Sequence, residues 1–251
     1  MDVAVSRILI MKTAIIIPSH LGAKRLPNKP LLLIHNEPMI VHVWKQAKKT
    51  NIDEVIVATS DREIFNVITE HGGTSVLTAS HHTNGSDRIF EAVETLKSKP
   101  DLIINVQGDM PLIKPEAINY LANFMQNSSA EMSTLASTLK SEDLSNPNVV
   151  KVETEKEIDR NNFAYAKDFF RIKDESRNKL YHHVGIYAYQ YTVLKKYVGL
   201  KKTKNELERS LEQMRALDNQ IKIQVGFIND YPLGVDTQAD LDKIRLMYNE
   251  T

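Results

Sequence analysis

Ala14-Ile15-Ile16-Ile17-Pro18 runs into Ser19-His20-Leu21-Gly22-Ala23-Lys24-Arg25-Leu26-Pro27-Asn28-Lys29-Pro30. A short apolar run without polar alternation is a strand buried on both faces, the signature of a parallel sheet covered by helices. The strand is expected to begin near Thr13 and to end at Pro18. Outward from it, Met39–Lys48 carries Met39, Ile40, Val43, Trp44 and Ala47 at helical spacing, and Glu54–Thr59 is the next apolar run. Residues 62–71 follow as a helix closed by Gly72-Gly73, then a short strand at 75–78 and a helix at 87–96 with Ile89, Val93 and Leu96 on one face. Residues 102–106 form a fourth strand, and 115–125 a helix opening on a tolerated proline. Strands alternating with amphipathic helices give an α/β, doubly wound, mostly parallel sheet.

The rhythm changes after residue 130. Met132–Thr138 and 149–153 read as strands split by the turn Asn146-Pro147-Asn148, and further strands are expected at 165–170 and 184–189 with a polar loop between them. Residues 195–204 hold five lysines and read as a solvated face or loop. Residues 206–217 read as one helix, 221–227 as a strand and 237–248 as a closing helix. The expected organisation is an extension at 1–12, a nucleotide-binding main domain at 13–130 and 218–251, and a smaller mixed α/β subdomain at 131–217.

The chain has 251 residues, 42% hydrophobic and 25% charged, a globular composition. Lys+Arg and Asp+Glu both number 32, which argues against nucleic acid or an anionic membrane as partner but not against a local phosphate pocket. Without cysteine there are no disulfides, thiolate metal sites or cysteine nucleophiles, in keeping with a cytoplasmic setting. Arg7 and Lys12 interrupt the apolar amino terminus, no small-residue cleavage site follows it, and no stretch reaches the roughly 18 uncharged apolar residues of a membrane span.

Ligands of open parallel sheets bind beyond the carboxyl ends of the strands, so those loops are read first. The 18–30 loop is either an ordinary basic surface loop or a polyphosphate cradle of cations and amide groups. It is not a Walker loop, because Asn28 precedes Lys29 and no Ser or Thr follows it. After the fourth strand, Gln107-Gly108-Asp109 offers a carboxylate suited to Mg²⁺, in preference to a helix cap. In Gly234-Val235-Asp236-Thr237, a helix-capping role for Asp236 or Thr237 is the stronger local reading. The adjacent pairs His81-His82 and His182-His183 point different ways and suit no single metal. There is no HExxH helix and no Gly-x-Ser-x-Gly elbow. Trp44, Phe169, Phe170, Tyr187 and Tyr189 fall in apolar patterns and read as core.

Taken in order, these loops resemble the sugar-acid cytidylyltransferases, most closely the branch that uses 3-deoxy-manno-octulosonate (Kdo). The resemblance covers the chain from Thr13 onward. It is carried by Arg25-Leu26-Pro27-x-Lys29-Pro30-Leu31, Pro38-Met39-Ile40-Val41-His42-Val43, Val57-Ala58-Thr59, Asn84-Gly85-Ser86-Asp87-Arg88 and Asn105-Val106-Gln107-Gly108-Asp109. Asn146-Pro147-Asn148-Val149-Val150-Lys151-Val152, His183-Val184-Gly185-Ile186-Tyr187, Leu211-Glu212-Gln213-Met214-Arg215 and Val235-Asp236-Thr237 complete it.

The resemblance implies a Rossmann-like nucleotide-diphospho-sugar transferase fold, a homodimer formed through the smaller subdomain, and the reaction CTP + Kdo → CMP-Kdo + pyrophosphate in lipopolysaccharide biosynthesis. It implies Lys29, Arg25, Asp109 and Asp236 as catalytic, with Asp109 and Asp236 holding Mg²⁺. Ser19, His20, Lys24, Arg25, Lys29, Ala58, Thr59, Asn84, Gly85, Arg88, Gln107 and Asp109 are implied on the nucleotide side. Gln107, Lys167, His183, Tyr187, Glu212 and Gln213 are implied on the sugar side. The chain departs from the pattern at His20 (usually arginine), Ala23-Lys24 (small hydroxyl residues), Asn28 (glycine), Thr59-Ser60 (Thr-Asp, here with Asp61 one place later) and Ala166-Lys167 (Ser-Arg). Other readings of the same residues are transfer to 8-amino-Kdo or a sialic acid, and a paralogue that binds nucleotide without turnover.

Overall fold

The computed structural model describes residues 11–172 and 177–249. Strand β1 (Thr13–Ser19) leads through the basic loop to a hairpin of β2 (Leu33–Ile34) and β3 (Glu37–Pro38). His35 and Asn36 both have positive φ, as a two-residue primed turn requires. There follow α1 (Met39–Lys48), β4 (Glu54–Thr59), α2 (Arg62–Glu70), β5 (Thr74–Leu77), α3 (Gly85–Thr95), β6 (Leu102–Asn105) and α4 (Pro115–Gln126). The second half holds β7 (Met132–Thr138), β8 (Lys151–Thr154), β9 (Phe163–Phe170), β10 (Leu180–Gln190), α5 (Tyr191–Val198), α6 (Lys204–Arg209), α7 (Met214–Asp218), β11 (Ile223–Phe227) and α8 (Gln238–Asn249).

Nine strands form one sheet in the order β5-β4-β1-β6-β10-β7-β11-β9-β8. The first four are mutually parallel. Ile15 and Ile17 face a core shared with α1, α2 and α4, whereas Ala14 and Ile16 face one shared with α3 and α5. Both faces are dry, so the run needs no polar alternation. β10 then enters antiparallel beside β6. Its first residues also pair with β8, and its other edge with β7, so β10-β7-β11-β9-β8 closes on itself as a five-stranded ring. Residues 131–217 thus share the main sheet through β7 and β10.

Three local expectations are corrected and one is made more specific. β1 continues through Pro18 to Ser19, since the proline lies within the parallel ladder against Ala58 without needing to donate there. The lysine-rich stretch is a solvated face as expected, its first part on a helix: Val193, Leu194 and Tyr197 of α5 are buried while Lys195 and Lys196 stay in solvent. The single helix expected at 206–217 is two, broken where Ser210 takes a left-handed backbone. And β10 starts at Leu180 rather than 184, because its early residues are claimed by β7 and β8 on two edges.

A third apolar cluster, of Leu26, Ile34, Met39, Val235, Leu241 and Ile244, pins the basic loop and the segment before α8 to each other. Burying each such side chain contributes roughly 1.5–3 kcal/mol. This joins two chain segments some two hundred residues apart at the carboxyl ends of β1 and β6.

Candidate active site

Lys29 opens a short 3-10 turn, with Asn28 before it in the left-handed region (φ 56°, ψ 22°) that glycine and asparagine tolerate best. The Lys29 ammonium donates to Asp109 Oδ2 at 2.8 Å, to the Val235 carbonyl at 2.7 Å and to Asp236 Oδ1 at 3.3 Å. Burial alone would lower it, but Asp109 and Asp236 raise it above the ordinary lysine value. Arg25 reaches the other oxygen of Asp236 at 3.0 Å. Gly108 is required where it stands, because a Cβ there would meet the Pro18 carbonyl at 2.9 Å. That close approach seats Asp109 over the end of β1, and the Val235 amide donates to the Asp109 carbonyl at 2.9 Å.

Of the two capping candidates, Asp236 and Thr237, it is Thr237 that caps α8. The Asp240 amide donates to Thr237 Oγ1 at 3.3 Å, and Asp240 Oδ2 accepts from the amides of Asp236 and Thr237, so Thr237 and Asp240 close the start of α8. The Asp236 carboxylate is left for the two cations.

A cleft of about 1990 Å³ runs from Arg25, Asp109 and Asp236 across β10 to Tyr187, Glu212 and Gln213. At its far end the chemistry is different. His183 is buried, its Nε2 3.1 Å from Thr134 Oγ1, and burial holds it down at about 3, so it is a neutral imidazole. Thr134 donates to the Ile186 carbonyl at 2.7 Å, within a register shift of β10 between Val184 and Tyr187. Such bulges re-aim side chains beside active sites. Tyr187 lies 5.4 Å from the His183 ring, and its buried hydroxyl has no partner among the described residues. Glu212 is raised above the ordinary carboxylate value, burial outweighing Ser86 and Arg215. Tyr197 donates to the Glu212 carbonyl at 2.8 Å. Behind them Arg215 and Glu206 form a buried two-point ion pair at 2.8 and 2.5 Å.

The residues expected on the nucleotide side fall into two groups. Arg25, Gln107 and Asp109 line the cleft. Ser19 has a buried hydroxyl at the end of β1 with no partner among the described residues. His20 accepts from the Gly22 amide, and burial first, then Arg88, hold its imidazole below its ordinary value. Ala58 and Thr59 are fully buried in β4, Thr59 accepting from the Asp61 amide, while Asp61 Oδ2 accepts from the Leu21 amide. Asn84 caps α3 through the Asp87 amide at 2.8 Å, with Gly85 as its first residue. Arg88 is buried against Thr78 at 2.6 Å. Lys24 is exposed. On the sugar side, Lys167 stands apart from the cleft, on β9, bound to Glu153 at 3.0 Å.

Sequence reasoning did not single out Tyr231, which lines the cleft stacked on His182. A lone tyrosine in a loop carries no motif. Thr134 was equally silent, inside an apolar strand, whereas Ser86 stands within the Asn84–Arg88 motif.

The two carboxylates already converge on one cation, the Lys29 ammonium, and this donor set suits Mg²⁺, which takes one or two carboxylates and completes its shell with phosphate oxygens and water. Among the described residues no cluster of three or more metal-ligating side chains occurs that would favour a self-sufficient metal cage.

A family model described as cytidylyltransferase matches residues 14–223. The chain is similar to the 3-deoxy-manno-octulosonate cytidylyltransferase of Thermodesulfovibrio yellowstonii, 41% identical over 246 residues and covering 92% of this chain and 96% of that one. It is similar to the protein of the same name from Brucella ovis at 40% identity, covering 94% and 95%. Among solved structures, a CMP:2-keto-3-deoxy-manno-octonic acid synthetase complexed with CTP superposes with a TM-score of 0.87 at 33% identity, over 96% of this chain and 100% of that one. A cytidylyltransferase from Leptospira borgpetersenii shares the fold, with a TM-score of 0.64 at 16% identity over 96% and 88%.

Proposed function

The chain belongs to the cytidylyltransferase family, and from that membership we propose that it is a nucleotidyltransferase that moves CMP from CTP onto Kdo and releases pyrophosphate. One observation carries the reading: a cationic and acidic cluster at the ends of β1 and β6 opens into the same cleft as Tyr187 and Glu212, so a triphosphate and a polyhydroxy acid fit side by side.

Lys29 and Arg25 bind the phosphates, their charge held in place beforehand by Asp109 and Asp236. Asp109 and Asp236 would hold Mg²⁺. When bound, the ion supplies neutralisation of the triphosphate charge. The Tyr187 hydroxyl, buried and unpartnered, donates to or accepts from the sugar. Neutral His183 and Gln107 line the acceptor side. The anomeric hydroxyl oxygen attacks the α-phosphorus, the bond to the bridging oxygen breaks, pyrophosphate leaves with the electron pair, and the hydroxyl proton passes to solvent. No side chain forms a covalent intermediate; positioning and charge do the work.

The same reading places the protein in the cytoplasm as a homodimer serving lipopolysaccharide synthesis. Exposed Tyr165, Ile172 and Leu207 in the 131–217 segment support a contact surface there. The test is pyrophosphate release from CTP and Mg²⁺ with Kdo, 8-amino-Kdo and a sialic acid in parallel. Turnover highest with Kdo supports the proposal. CTP binding without turnover of any acid overturns it.

A further inference from the structure

The loop between β11 and α8 carries Val235 and Asp236 and has no secondary structure of its own. At its start the Ile228 amide donates to the Ala136 carbonyl at 2.8 Å, and at its end the Val235 amide donates to the Asp109 carbonyl at 2.9 Å. Between those anchors Tyr231 lies ring to ring on His182, centroids 3.8 Å apart and planes 19° from parallel. His182 sits on the best-held part of β10, paired with Ser137 of β7 on one edge and Lys151 of β8 on the other. The next residue along β10 is His183. Both rings line the cleft, and Tyr231 is near enough to feel the charges of Asp109 and Asp236.

We infer that the His182–Tyr231 stack is a positioning pair: it fixes the loop bearing Asp236 against the strand bearing His183 and Tyr187, and so sets the spacing between the phosphate and sugar ends of the cleft. The inference rests on the cytidylyltransfer reading, for it assigns residues to that one site. Its physical content is that the rigid partner is the strand and the adjustable partner is the loop. His182 is 9% exposed and locked into two ladders, whereas among the described residues the loop's midsection is anchored by side chains, through the stack, Lys114 to Asp230 and Arg160 to Asn229. An aromatic pair of this kind is worth at most about a tenfold change in an equilibrium. That is enough to misplace a carboxylate without unfolding the chain.

The experiment uses the full chain with Tyr231→Ala, His182→Ala, their double, Tyr231→Phe and His182→Phe. CTP affinity is measured by calorimetry with and without Mg²⁺, and backbone hydrogen exchange is followed across 228–236. Expected for both alanine variants are faster loop exchange and a CTP affinity in Mg²⁺ lower by up to about tenfold, with affinity lacking Mg²⁺ within about twofold of the parent. The phenylalanine variants keep a ring and recover most of the loss, and the double variant is no worse than the worse single one. Equal loss with and without Mg²⁺, additive losses, or a phenylalanine variant as poor as alanine each overturn the inference. None of these readouts needs turnover. A parent that binds CTP with Mg²⁺ but transfers to no acid sinks the activity reading alone.

Discussion

The two ends of the cleft are held by different physics. At the phosphate end, Lys29, Arg25, Asp109 and Asp236 form a mutually neutralised ionic group that is partly open to water, with Asp236 more than half exposed. At the sugar end, His183 and Tyr187 sit buried and uncharged on β10, with the Tyr187 hydroxyl unbonded among the described residues. Polyanions need charge that can be exchanged from protein partner to ligand. The hydroxyls of a sugar acid need directional groups whose desolvation has already been borne by the fold. The first arrangement shows itself in rate and hardly in stability; the second shows itself in both.

The largest effect expected at the phosphate end is that of Asp109→Asn. It removes one of the two carboxylates on Lys29 and on the ion, and kcat/KM should fall by about a thousandfold, the scale of losing one charged contact to a transferring group. The melting temperature should move little, since the partly exposed pair contributes about 1 kcal/mol or less. Pyrophosphate release and a thermal melt read the two quantities separately. A stable but fully active variant would show that the acidic cluster is not where the nucleotide binds.

Acid separates the ends next. Burial holds His183 near 3 and His182 near 4, both below the unfolded value of 6.5. Between those values and 6.5 the unfolded chain binds protons that the folded one refuses. Stability is therefore full above about pH 6.5 and falls as pH drops, each histidine steepening the slope by up to about 1.4 kcal/mol per pH unit. His182→Phe should remove one histidine's share in denaturant titrations between pH 6.5 and 4. An unchanged slope would mean that the ring face is wetter than its burial indicates.

Much of the phosphate end was legible in sequence, because parallel strands buried on both faces write themselves as unbroken apolar runs and their loops follow immediately. Residues 54–59 and 102–105 are such runs. The sugar end was less so. β9 mixes buried and solvated residues, β8 buries the polar Lys151 and Thr154, and the closure of β10 onto β8 depends on partners that no local pattern reports. The helix break at Ser210 lies among good helix formers, so propensity argued for continuity and tertiary packing overruled it. Lys167 stands where the chain departs from the pattern and pairs with Glu153, since order along the chain does not fix which way a strand side chain points.

A smaller effect is expected of Tyr187→Phe. The buried hydroxyl bonds nothing among the described residues, so its removal should leave stability unchanged or slightly higher. If the group is reserved for the sugar acid, KM for that substrate should rise by about tenfold or more, with KM for CTP unmoved. Equal changes in both constants would dissolve the division between the two ends.

The smallest effect tests whether the phosphate end is organised by its backbone or by its ion pairs. Asn28 holds a left-handed conformation just before Lys29 and makes no capping hydrogen bond with its side chain. Asn28→Gly removes the Cβ strain of that conformation but adds freedom to the unfolded chain, and the two nearly cancel, leaving a change within about 0.5 kcal/mol. Asn28→Val puts a branched Cβ where it is disfavoured and should lower stability by about 1–2 kcal/mol. The ammonium of Lys29 is tied at three points, to Asp109, Val235 and Asp236. The strain should therefore be absorbed in the 26–29 turn, with turnover retained to within about threefold. A valine variant that melts normally but loses CTP affinity would reverse that order, making the turn rather than the carboxylates the element that aims the lysine.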